Sequence, residues 1–248
     1  ILCYQLDHFN GVKSHIRLTW HLDAISFTIF LDVFSVLGLE QFKLGHVNGG
    51  SQDYSRMIRL TYQDERYTRL APDAFKTWRQ IEKESGLQVF YKTGSLQLAE
   101  IGKSDFIINE YTKAMDRAGI KYEYLSNTDV MRRYPQFTVG PDIVALYQDM
   151  AGFVDAALGN SIHIQLARGN GATILEECAV TRLTRAVNGN IVVHTTNGKF
   201  ECRRLIVAAG AWLNHVIGTI GVHVPVTVTQ EQVTYLGTPH MKDFTKDK

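Results

Sequence analysis

The chain has 248 residues, enough for one large domain or two smaller ones. Apolar residues make up 45% and charged residues 21%, which excludes a disordered or collagen-like chain. The 26 basic and 25 acidic residues leave a formal net charge of +1, so no electrostatic footprint for nucleic acid is present. Cys3, Cys178 and Cys202 lie far apart and form no CxxC, which argues against a zinc site or a disulfide framework and fits a reducing compartment. The longest apolar run, residues 24–39, is shorter than the roughly 20 residues a bilayer needs and carries Asp32. Residues 1–23 are mixed and polar, unlike a secretory leader. The expectation is a soluble chain with neither nucleic acid nor membrane as partner.

Strands and helices alternate, which predicts an α/β chain. SVLGLEQF reads as a buried strand ending in Glu40, and the Gly-, Asn- and Ser-rich KLGHVNGGSQDYSR that follows reads as a loop. MIRLTY begins a new ordered element. Leu70, Ala74, Trp78, Ile81 and Ser85 recur at helical spacing, predicting a helix over 70–86 that stops at Gly86. LQVFYKTGSLQLAE reads as two strands around a Thr93–Gly94 turn. Ile108, Tyr111 and Met115 predict a helix over 105–118, and Asn127 is expected to cap a short helix that ends before Pro135. Asp155 is expected to cap a helix carrying Leu158, Ile162 and Leu166 and ended by the glycines at 169–171. CAVTRL, IVVHTT and KFECR are three strands joined by Asn-Gly hairpin turns. LIVAAG is an apolar strand running into the helix AWLNHVIG, and PVTVTQEQVTYL is an alternating strand.

Three features can carry chemistry. An acid closing a strand, Glu40, is placed to accept ribose hydroxyls in a dinucleotide fold; without such a fold it is a solvated loop residue. Arg56 and Arg59 in SRMIR share one face if the segment is helical, and a guanidinium fork clamps a carboxylate in two places; otherwise they form a solvated basic face. LIVAAGAW meets its helix at Gly210, where small residues let a ligand approach the backbone, although any tight strand–helix junction looks the same. No HxH, HExxH, GxSxG or P-loop pattern is present. Cys178 and Cys202 fall in strands, where they serve as small apolar residues.

The ordered series VLGLEQF, LGHVNGGSQDYSRMIR, WRQIEKESG, KTGSLQL, RRYPQF, AGFVDAALGNSIHIQLARGNGA, LIVAAGAW and VPVTVTQEQVTYL resembles the sarcosine oxidase-like flavoproteins of the D-amino-acid-oxidase superfamily, with the N-methyltryptophan and pipecolate oxidases nearby. The resemblance covers about residues 36–237. It implies a mixed α/β fold in which a Rossmann-like FAD-binding domain is interleaved with an antiparallel-sheet substrate domain. The implied FAD-binding pieces are 36–84 and 145–222, the substrate-domain pieces 85–144 and 223–248, and 1–35 is unmatched. By the same resemblance Glu40 binds the FAD ribose, and Ser51, Ser55 and Arg56 line the isoalloxazine and pyrophosphate side. Val180, Gly210 and Trp212 approach the cofactor, and Arg59 pairs with the substrate carboxylate. The implied reaction is oxidation of an amino acid or amine, with FAD as cofactor, molecular oxygen as co-substrate and no metal, in the cytoplasm or a peroxisome.

The pattern departs from the family at two places. Gln52 and Asp53 stand where the family more often has His and Gly, and residues 1–35, with Gly11 as their one glycine, do not read as strand–GxGxxG–helix. The expectation is therefore a chain incomplete at both ends, with a catalytically inactive remnant as the alternative. A nicotinamide-dependent dehydrogenase would need the same glycine fingerprint and has no motif in its favour.

Overall fold

The structure, a computed structural model, describes residues 2–6, 34–230 and 232–245. Residues 7–33, which include Gly11, Asp32 and most of the apolar run, lie outside the described residues. In chain order the elements begin with β1 (Leu2–Leu6), β2 (Phe34–Leu39), β3 (Arg56–Ile58), α1 (Glu65–Ser85), β4 (Phe90–Lys92) and β5 (Ser95–Glu100). They continue with α2 (Asp105–Ala118), β6 (Glu123–Ser126), α3 (Asn127–Arg133), β7 (Ile143–Gln148) and β8 (Gly152–Val154). The last are α4 (Ala156–Gly169), β9 (Thr173–Leu175), β10 (Val180–Arg185), β11 (Ile191–Thr195), β12 (Gly198–Cys202), β13 (Arg204–Ile206) and α5 (Leu213–Ile217). This is a mixed α/β chain with four small sheets among the described residues. None of the described helices is long and apolar enough to cross a membrane.

The chain divides into two compact units, each made of two stretches: 1–54 with 156–231, and 55–155 with 232–248. Residues 55–84 and 145–155 thus fall with the second unit, whereas the sequence reading groups them with the first.

In the first unit a four-stranded sheet runs in the order β13-β1-β2-β9. Strands β2 and β9 are parallel, with Leu37 opposite Thr173, and β1 is antiparallel to both of its neighbours. A separate meander, β10-β11-β12, turns through Gly189 (φ 84) and Gly198 (φ 130), where the Asn-Gly turns were expected. Leu39, Cys178, Leu183, Val193, Cys202 and Val216 form the buried core. The two cysteines are free thiols that act there as small apolar residues.

The second unit holds two antiparallel sheets, β3-β8-β4 and β5-β7-β6. Strand β7 is buried on both faces because alternate side chains point opposite ways. Val144 and Leu146 pack with Ile108 and Met115 of α2, while Ala145 packs with Val130 of α3. Helix α2 has the limits its spacing predicts, and Gly119, at φ 68, closes it with an N–H to the Met115 carbonyl.

Several expectations are corrected. Helix α1 starts at Glu65, not 70, because Asp64 caps it by accepting the Arg66 N–H at 2.8 Å. Its buried face includes Thr68, Ala71 and Phe75 beside the expected Ala74, Trp78 and Ile81. Ser126, not Asn127, caps α3, since its hydroxyl and the Asp129 carboxylate satisfy each other's backbone N–H groups in a capping box. Strands β4 and β5 flank the expected turn but join different sheets, because the Thr93 and Gly94 N–H groups both donate to the Ala151 carbonyl and carry the chain across. The LIVAAG strand stops at Ile206. PVTVTQEQVTYL forms no strand among the described residues. It alternates as a strand should, but no neighbour offers it a ladder, and Val226, Val228 and Val233 stay exposed.

Candidate functional site

Glu40 stands immediately after β2, at its carboxyl end. The backbone anchors it on both sides: its N–H donates to the Leu175 carbonyl at 2.9 Å, and its carbonyl accepts from Cys178 N–H at 2.8 Å. The carboxylate Oε1 accepts the Phe42 N–H at 2.9 Å and lies 3.3 Å from His46 Nε2. His46 Nδ1 accepts the Asn48 N–H at 3.1 Å, so the neutral ring carries its proton on Nε2, the nitrogen nearest Glu40. Oε2 of Glu40 has no partner among the described residues. Parallel α/β sheets take ligands beyond the carboxyl ends of their strands, and the carboxyl ends of β2 and β9 both lie at this edge. An acid with an open oxygen at that edge fits the ribose of a nucleotide. The antiparallel β1 presents its amino end beside Glu40, so the fit among the described residues rests on Glu40 and the loop after it.

That loop is bound to the first unit. The Ser51 carbonyl accepts from Asn160 Nδ2 at 2.9 Å, and Gln52 Oε1 lies 3.3 Å from the same amide nitrogen. Gln52, where a histidine was expected, therefore serves to hold the loop on α4. Phe42 meets the ring edges of both His46, at 4.8 Å between centroids, and Trp212, at 5.6 Å. Glu40 and Trp212 are thereby joined through one aromatic residue. Gly210, at φ 47, opens the turn that carries Trp212, a conformation costly for other residues. Val180 starts β10 and packs on the core that holds Leu39.

Ser55, Arg56 and Arg59 belong to the second unit. The segment is extended, not helical, so a spacing of three does not bring the two arginines to one face. Arg56 pairs with Val154 along β3. Arg59 follows the strand and is half-buried. Its Nη1 donates to Gln97 Oε1 at 3.3 Å, and its guanidinium lies over the rings of Tyr62, at 5.3 Å, and Tyr111, at 5.8 Å. Burial pushes the Tyr62 phenol up, opposed by the charge and hydrogen bond of Arg59. No carboxylate pairs with Arg59 among the described residues. Arg59 is a half-buried cation beside two aromatic rings, with neutral hydrogen-bond acceptors only among the described residues, a setting chemically compatible with an external anion.

Tyr62, Gln97, Phe42 and His46 were not singled out from sequence. Gln97 carries the one available signal: it is a polar residue two positions from Ala99, on the strand face that packs against α2. The second unit also holds a cleft of about 210 Å³ beside Ser95 and Tyr147, and the first a cleft of about 430 Å³ between the loop and α4. Neither includes Glu40, Ser51, Ser55, Arg56, Arg59, Val180, Gly210 or Trp212.

The DAO family model, described as FAD dependent oxidoreductase, matches residues 31–247. Mouse peroxisomal sarcosine oxidase is 31% identical over 205 residues, which cover 81% of this chain and 50% of that protein. N-methyl-L-tryptophan oxidase of Salmonella arizonae is 28% identical, over 68% of this chain and 45% of that one. Among solved structures, NikD, an unusual amino acid oxidase essential for nikkomycin biosynthesis, superimposes with a TM-score of 0.69 at 25% identity, covering 80% of this chain and 51% of its own. Glycine oxidase from Geobacillus kaustophilus shares the fold, with a TM-score of 0.68 at 19% identity over 81% of this chain and 55% of that one. The chain spans about half the length of the curated relatives it matches.

Proposed function

The chain belongs to the DAO family of FAD-dependent oxidoreductases, and on that premise we propose that it serves to oxidise the C–N bond of a secondary or primary amino acid, such as sarcosine, another N-methyl amino acid or pipecolate. The observation that carries this reading is Arg59, a half-buried cation between two tyrosines with no acidic partner among the described residues. An amino acid brings the carboxylate that completes it. FAD, which Glu40, Ser51, Ser55, Arg56, Val180, Gly210 and Trp212 would hold, would supply the two-electron oxidation of the C–N bond, with molecular oxygen as the final acceptor and hydrogen peroxide as its product.

The protein's own residues bind and orient. Glu40 offers Oε2 to the ribose hydroxyls of the cofactor. Ser51, Ser55 and Arg56 line its isoalloxazine and pyrophosphate side, and Val180, Gly210 and Trp212 pass close to it. Arg59 fixes the substrate carboxylate, and Tyr62 and Tyr111 shield that pairing from water, so that the α-carbon is held in one orientation. Arg59 thus positions the substrate and moves no proton. The expected location is the cytoplasm or a peroxisome.

An absorption spectrum of the purified chain after FAD addition and gel filtration tests the reading. Flavin bands at about one FAD per chain support it. A folded but colourless protein overturns it and leaves the inactive alternative.

A further inference from the structure

We propose that Gln97 is a positioning and specificity residue for Arg59, a role that rests on the reading of Arg59 as the carboxylate dock. Gln97 lies in β5, opposite Leu146 of β7, on the strand face that carries Ala99 against α2. On that face the half-buried Gln97 stands between Ser95 and Ala99 and across from the apolar Leu146. Its Oε1 accepts from Arg59 Nη1 at 3.3 Å, while Tyr62 and Tyr111 bound the guanidinium by their rings. An amide oxygen fixes the fork without neutralising it. A carboxylate in the same place would fix it equally well and cancel the charge, closing the dock to a substrate anion. An apolar side chain would leave the charge but not the orientation. Glutamine is the side chain of this size that does both, so the selectivity of the site for carboxylated amines depends on position 97 as well as on Arg59.

The test is a magnetic resonance titration of the purified 248-residue chain with sarcosine and, separately, with its uncharged amide, alongside thermal denaturation of each variant. Gln97→Glu is expected to weaken sarcosine roughly 30-fold or more, the lower end for losing a desolvated charge pair, and to leave the amide unchanged. The same variant is expected to melt at a higher temperature, because it completes an ion pair; damage to the fold would lower the melting temperature instead. Gln97→Asn, one methylene shorter and uncharged, is expected to weaken sarcosine about 3–10-fold, the range for one ordinary hydrogen bond. It decides the matter if Gln97→Glu does not fold. Sarcosine binding at the wild-type level in these variants, with Arg59→Met unable to bind, overturns the role of Gln97 and leaves that of Arg59 standing. Equal binding by wild type and Arg59→Met, or none by wild type, overturns the Arg59 reading and the proposal with it.

Discussion

Glu40 and His46 meet at one carboxylate oxygen: Oε1 lies 3.3 Å from His46 Nε2 and also accepts the Phe42 N–H. The other oxygen keeps its capacity. Glu40→Ala is expected to lower FAD affinity about 10-fold or more, the value of a hydrogen bond to a charged acceptor. The Phe42 N–H loses its acceptor as well, at a cost in stability of about 1 kcal/mol. Flavin fluorescence quenching measures the first effect and urea denaturation the second. Unchanged FAD affinity in a folded variant removes Glu40 from the cofactor site.

Arg59→Met keeps the length and apolar stem of the side chain and removes the charge. Binding of carboxylated substrates is expected to weaken by about 2–5 kcal/mol, the scale for breaking a desolvated charge pair. Amines without a carboxylate are expected to bind as before. Equal losses for both classes would show that Arg59 supports the fold rather than the substrate.

Gly152 is the residue of β8 opposite both Ile58 of β3 and Lys92 of β4. A Cβ there would overlap the Tyr91 carbonyl and stand 2.9 Å from its carbon, both rigid backbone. Gly152→Ala must therefore push β4 off β8 and loosen the sheet from which Arg59 emerges. The expected loss is at least the roughly 1–3 kcal/mol of an overpacked core. Limited proteolysis should cut the second unit faster; a wild-type digestion rate counts against this register.

The Glu82 carboxylate, in the last turn of α1, accepts the N–H groups of Val89 at 2.8 Å and Phe90 at 2.7 Å on one oxygen. Val89 is fully buried, so no water replaces the acceptor. Glu82→Ala is expected to cost about 2–4 kcal/mol, from one orphaned buried donor plus a second charge-assisted bond. Urea denaturation reads this directly, and a loss below about 1 kcal/mol would mean that the loop finds other acceptors.

Local chemistry was legible in the sequence where it is decided locally. The strand ending at Glu40, the limits of α2 and the Asn-Gly hairpins of β10 to β12 follow from spacing and turn residues within a dozen positions. Partnership was not legible. Strands β4 and β5 are neighbours in sequence, yet β4 pairs with a strand about sixty residues away and β5 with one about fifty away, and alternation alone cannot name those strands. The same limit explains residues 225–236, whose alternation is genuine but which form no strand among the described residues. The start of α1 was hidden because residues 65–69 are mostly charged or polar and only Thr68 among them is buried. The family motifs singled out Glu40 and Arg59, but the side chains beside them, His46 and Gln97, come from contacts that carry no pattern of their own.

Asp64 couples the stability of α1 to acid pH. Its Oδ1 accepts the Arg66 N–H at 2.8 Å, and its Oδ2 lies 2.6 Å from Arg66 Nη2. These bonds, the side-chain one first, hold the carboxyl down at about 2, against an ordinary 3.8. A carboxyl with a depressed folded value binds its proton more readily in the unfolded chain. Its contribution is therefore complete above about pH 4 and is lost as the pH falls toward 2. Asp64→Asn retains an oxygen for the cap but cannot titrate. The melting temperature of the wild type should thus approach that of Asp64→Asn between pH 4 and pH 2, while the difference stays constant from pH 5 to 7. The whole effect should shrink in high salt, because the Arg66 side chain is 88% exposed. A difference between the two proteins that ignores pH would show that the cap acts by geometry alone, with no share from the ion pair.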